Sequence, residues 1–123
     1  VLGRFDWALP EGPGATRMVT QTHLKGLPVC YHGQSAAWCA LELRARLRLQ
    51  DIREINVESY HGAVEMTGGD PTRWAPASRE TADHSMPWIV AGVLLHGHFG
   101  EHLFSPEQLQ DAQHRANPWL HID

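Results

Sequence analysis

The chain has 123 residues, 42% of them hydrophobic and 20% charged, which is enough for one soluble domain with a modest core and too little for two. A net charge of -4 argues against a nucleic-acid footprint, and the apolar run ending before Gly97 falls short of the roughly 20 residues of a membrane span. Cys30 and Cys39 make no disulfide framework and nothing resembles a signal peptide, so a cytoplasmic, reduced setting is expected. The first residue is Val1 rather than methionine, which is read as the mark of a processed or cut piece.

Residues 1–16 carry Gly3, Pro10, Gly12, Pro13 and Gly14 and read as an irregular lead-in to a single domain over 17–123. Met18 to Leu24 alternates loosely and predicts a short strand; Pro28 to Gly33 predicts a turn. A helix is expected from Ser35, as N-cap, to about Leu49, with Ala36, Ala40, Leu43 and Leu47 on one face. Arg44, Arg46 and Arg48 then lie at its C-terminal end, where cations favour the dipole. Ile52 to Tyr60 predicts the best strand, with one slip at Arg53 and Glu54. Gly68-Gly69-Asp70-Pro71 signals a turn, and Trp74 to Ser78 a surface segment.

A second helix is expected over about Thr81 to Leu95. Pro87 lies inside it, so either the helix starts near Met86 or its first turn is distorted; Gly97 ends it. Ser105-Pro106-Glu107-Gln108 combines an N-cap, a proline at the first helical position and a capping-box glutamine, and predicts a third helix from Pro106 to about Arg115. The expected class is α+β: a small antiparallel or mixed sheet with about three helices.

Two stretches hold the chemistry. Arg79-Glu80-Thr81-Ala82-Asp83-His84-Ser85 places acids, bases and hydroxyls directly ahead of an apolar run, and reads either as a site or as a fixed hydrogen-bond network. Lys25 to Ser35 places a cation, His32, Gln34 and a hydroxyl in a loop leading into a helix N-terminus. That suits a carboxylate or phosphate, or is simply a capped loop with a solvated lysine. Cys30 has only His32 near it in sequence and reads as a small semi-buried side chain rather than a nucleophile. His96, His98 and His102 form an H-x-H-x3-H cluster that could take zinc, although exposed loop histidines are the plainer reading. His23, His61, His114 and His121 have no companions that raise them above ordinary histidines.

The two stretches together resemble the MmgE/PrpD family, which includes 2-methylcitrate dehydratase and cis-aconitate decarboxylase. His23-Leu24-Lys25-Gly26-Leu27-Pro28-Val29-Cys30-Tyr31-His32-Gly33-Gln34-Ser35 is similar to the start of its smaller domain. Arg79 to Trp88 is similar to its Arg-Glu-Thr-Ala-Asp-His-Ser-Leu-Pro-Tyr block. The resemblance, over about Thr20 to Asp111, implies an α+β domain lining a cleft against a larger helical domain, and elimination of water or carbon dioxide from di- or tricarboxylates with no metal or iron–sulfur cofactor. It implies Lys25 and His32 as the catalytic pair, and Gln34, Ser35, Asp83 and His84 as substrate-binding or cleft-bracing residues. It also implies that the helical domain and further strands are missing, so the chain alone is expected to be inactive unless a helical partner chain completes it. The alternative is a stand-alone, non-catalytic module that oligomerises or binds a partner.

Overall fold

The computed structural model describes residues 6, 8, 11–12, 18–111 and 120–122. Among them are six α-helices and two strands: α1 Gln34–Arg44, β1 Ile55–Val57, α2 His61–Thr67, α3 Pro71–Trp74, α4 Arg79–Asp83, α5 Met86–His96, α6 Pro106–Gln110 and β2 Leu120–Ile122. No helix among these residues is long and apolar enough to cross a membrane.

The axis of the domain is α5. Nine of its eleven residues, Met86 through Leu94, are buried, as an all-apolar helix requires. Ser85 caps it by accepting the Trp88 N–H at 3.0 Å, and Gly97 closes it in the left-handed region at φ 73°, which a side chain would strain. Pro87 sits in the first turn, where its missing N–H costs no helical bond. The helix expected over Thr81 to Leu95 is therefore two helices, α4 and α5, broken at His84 and Ser85. α1 lies against α5 through the small buried residues Ala37 and Ala40, and Arg44 Nε donates to the Leu94 carbonyl at 2.7 Å. The arginine cluster at the end of α1 is thus partly structural: Arg44 holds α5, and Arg48 pairs with Asp51 at 2.8 Å.

The class is α+β, but the sheet corrects the expectation of antiparallel or mixed pairing. β1 and β2 are parallel, with Ile55 opposite Leu120, Asn56 opposite His121 and Val57 opposite Ile122. Parallel neighbours need a crossover connection, and here it contains α2 to α6. The strand expected over Ile52 to Tyr60 shrinks to Ile55–Val57 because the slip at Arg53 and Glu54 breaks the alternation and a 3-10 turn occupies Leu49–Asp51. The strand expected at Met18 to Leu24 is also corrected: Met18–Gln21 is a 3-10 turn, and Val19 and Leu24 are exposed, so its loose alternation has no buried face.

Three helices were expected and six are found among the described residues. Besides the split of α4 from α5, α2 buries Ala63 and Thr67 one turn apart, and α3 starts where Asp70 accepts the Thr72 N–H at 2.8 Å ahead of Pro71. The Asp-Pro pair read as a turn is thus an N-cap followed by a first-turn proline. The expected α1 is shorter, ending at Arg44. α6 ends at Gln110, with Asp111 extended; the rest of the helix expected to Arg115, His114 with it, lies outside the described residues, as does nearly all of the lead-in at 1–16.

Candidate functional site

The loop from Lys25 to Gly33 is shaped by one amide. Gln34, the first residue of α1, accepts the Leu27 N–H at 3.1 Å and donates from Nε2 to the carbonyls of Leu27, at 2.7 Å, and Val29, at 3.2 Å. These bonds give the Leu27 N–H and the Val29 carbonyl their partners and add to the Val29 N–H that the Leu27 carbonyl also accepts at 2.8 Å. Val29 and Cys30 are buried below, while Lys25 is exposed. Gly33 lies close on α5: a Cβ there would stand 3.1 Å from Ile89 Cδ1.

Ser35 is not the N-cap of α1; that position is Gly33, with no side-chain cap. The 3-10 turn at Tyr31–Gly33 feeds directly into the helix, which moves the cap two residues earlier and leaves the Ser35 side chain exposed. Ser35 lines a groove of about 340 Å³ between α1 and β1, with Cys39, Leu43, Ile55, Val57 and Leu94 among its walls.

His32 turns toward Tyr60, just ahead of α2: its Nδ1 shares a hydrogen bond with the tyrosine hydroxyl, and the ring centres are 5.6 Å apart. Tyr31 lies edge-on to His32, and His23 lies 6.4 Å from Tyr31, so a small aromatic surface surrounds the imidazole. A hydrogen bond to a ring nitrogen fixes the direction of an imidazole and the identity of its other nitrogen.

In the second stretch most polar groups hold backbone. Ser78 and Thr81 form a capping box at the start of α4. The Ser85 hydroxyl donates to the Arg73 carbonyl while it caps α5, and is fully buried. Arg73 Nη1 reaches the Thr81 carbonyl at 3.4 Å; its Nε is buried with no hydrogen-bond partner among the described residues. His84 Nδ1 donates to the Glu80 carbonyl at 3.0 Å and to the Asp83 carboxylate, so Nδ1 carries a proton. Arg79 pairs with Glu101 at 3.3 Å in solvent, an interaction worth little.

One hydrogen bond joins the two stretches. In a continuous helix the Asp83 carbonyl would accept from the N–H of residue 87, but Pro87 has none. The Cys30 N–H takes that place at 2.9 Å. The loop that carries Lys25 and His32 is thereby hung on the polar turn between α4 and α5.

Those two connected stretches fall within one family model: the MmgE/PrpD C-terminal domain, over residues 27–116. The chain belongs to the MmgE/PrpD family. The match contains His32, Gln34, Ser35, Asp83 and His84 and starts two residues after Lys25. No solved structure matches the chain.

In this MmgE/PrpD domain Lys25 and His32 share one loop, Asp83 and His84 share one turn, and the Cys30–Asp83 bond ties loop to turn. No described hydrogen bond or ion pair joins the side chains of one pair to those of the other. Tyr60 is the residue that sequence reasoning missed. It stands 28 positions from His32, and no local spacing could have paired them.

The histidine cluster lies at the other end of α5. His98 and His102 are stacked at 4.3 Å, and His96 stands edge-on to both. Partial burial, with the neighbouring His98 and His96, pushes the His102 pKa below its usual 6.5. Among the described residues no group of three or more His, Cys, Asp or Glu side chains, as they stand, could hold a metal ion.

Proposed function

We propose that this domain forms one wall of a carboxylate site in a metal-independent carbon–oxygen or carbon–carbon lyase for di- or tricarboxylates. The observation that carries the reading is the bond from Cys30 N–H to the Asp83 carbonyl, which makes one scaffold of the two family stretches. Exposed Lys25 would neutralise a substrate carboxylate as charge builds on it during proton removal. His32, aimed by Tyr60, is the group suited to move that proton. Gln34 and the Asp83–His84 pair brace loop and turn, and Ser35 contributes a hydroxyl near the start of α1.

The reading includes a second component. A catalytic group exposed on one wall cannot position a substrate, and lost positioning costs orders of magnitude in rate. The chain alone is therefore inactive, and a helical domain, on the same polypeptide or a partner, completes the cleft. The test is reconstitution with such a domain and citrate-like acids. Activity should appear, and Lys25→Ala should lower kcat by about 10²-fold or more. A reconstituted pair that binds but turns over nothing sinks the proposal.

The alternative is a non-catalytic, self-associating module. It draws support from the groove between α1 and β1, whose wall residue Leu43 is 51% exposed, and from Trp38 on α1 and Leu47 just beyond its end, at 52% and 43%. Sedimentation decides this reading: a monomer at all concentrations removes it.

A further inference from the structure

Tyr60 reaches the site from outside both sequence stretches, and the fold holds it there. Its carbonyl accepts the Ala63 and Val64 N–H groups at 2.9 and 3.2 Å, as the N-cap of α2. That helix buries Ala63 completely and packs on the 3-10 turn at Tyr31–Gly33. Helix packing thus brings the phenol to His32. Two aromatic rings neighbour the imidazole, Tyr31 edge-on at 6.2 Å and Tyr60 at 5.6 Å between centres. Tyr60 is nevertheless 56% exposed, so water could satisfy its hydroxyl and stability does not demand the histidine.

The bond between His32 Nδ1 and the Tyr60 hydroxyl can form in two ways, and one of them leaves a base. If the phenol donates to Nδ1, the neutral ring carries its proton on Nε2 and has no lone pair to spare. If Nδ1–H donates to the phenol oxygen, Nε2 keeps its lone pair, and the phenol O–H is free for a second acceptor. In that second arrangement a base and an acid stand side by side, joined by a hydrogen bond along which a proton can return.

We propose, on the basis of the lyase reading above, that Tyr60 is the general acid of this site and gives its proton to the leaving hydroxyl. His32 Nε2 removes the proton from the carbon beside the substrate carboxylate. As the carbon–carbon double bond forms, the carbon–oxygen bond breaks, and the departing hydroxyl takes the Tyr60 proton and leaves as water. The Nδ1 proton of the now cationic imidazole passes to the phenolate oxygen. Both side chains end neutral, with the ring proton moved from Nδ1 to Nε2. His32 is half-buried, so exchange with solvent restores the starting tautomer.

Two measurements test this role. In the chain by itself, nitrogen NMR should find neutral His32 mainly as the Nδ1–H tautomer, and Tyr60→Phe should shift it toward Nε2–H. A dominant Nε2–H form in the parent overturns the proposal. In the domain reconstituted with its helical component, Tyr60→Phe should lower kcat on a citrate-like hydroxy acid by about 10²-fold or more, with KM little changed. On the analogue with fluorine in place of the leaving hydroxyl, the same variant should lose about tenfold less, because fluoride departs without a proton. Equal losses on both substrates reduce Tyr60 to a positioning group for His32 and overturn the proposal. Parent activity that depends on Lys25 would then leave the lyase reading standing. A reconstituted pair that turns over neither substrate removes that reading and the acid role together.

Discussion

The two ends of α5 use polar residues in opposite ways. At the N-terminal end Ser85 is fully buried, and its hydroxyl both caps α5 and holds the Arg73 carbonyl, while the Asp83 carbonyl takes Cys30. At the C-terminal end His98 and His102 are exposed and stack on one another beside His96. Burial makes the first arrangement obligatory, because an unpaired buried polar group costs about 1–3 kcal/mol. Water could satisfy every group at the second end, so stability does not demand the histidine cluster.

That contrast can be broken by substitution. The largest effect is expected for Ile89→Ala, which empties space under Gly33 in the core and should lower unfolding free energy by about 2–5 kcal/mol in urea titrations. Ser85→Ala should follow at about 1–3 kcal/mol, since it removes the α5 cap and strands the Arg73 carbonyl. If it proves no more harmful than His98→Ala, the distinction between the ends collapses.

Gln34→Ala should cost about 1–2 kcal/mol and, more tellingly, speed amide exchange at Leu27 without altering exchange in α5. Uniform acceleration across the domain would mean that the loop is not held separately. The smallest effect concerns pH. The folded pKa of His102 lies below its unfolded value of 6.5, so the unfolded chain takes the proton first as pH falls. Stability is complete above about 6.5 and declines toward the lower folded value, a trend that His102→Gln should flatten in melting curves. Solvent around His102 screens the effect and keeps it small.

Legibility in the sequence followed the range of the interaction. Ser105-Pro106-Glu107-Gln108 marked the start of α6 correctly, because the Ser105 cap reaches only to the Gln108 N–H, at 3.3 Å. Gly97 marked the end of α5 for the same reason. Asp70-Pro71 carried an equally local cap for α3 but was read as a turn, since an Asp-Pro pair serves both. Ser35 was misplaced as a cap because the 3-10 turn before α1 is continuous with it, and nothing at Ser35 reports that. The α2 helix was hidden by Gly62 and by a two-residue buried stripe too short to show a period.

Among the site residues, Lys25, His32, Asp83 and His84 could be singled out from composition and family likeness, but their partners could not. Sequence alone determined the α+β class, the apolar α5, its glycine stop, the cap of α6 and membership of the MmgE/PrpD family. These rest on side-chain type and on contacts within about four residues of each other. Only the tertiary structure decided the parallel pairing of β1 with β2, the Cys30–Asp83 bond, the meeting of His32 with Tyr60 and the support of His96 by Gln108. Each joins residues brought together by burying α5, and the free energy of that burial is non-directional, so it leaves no local pattern naming the partners.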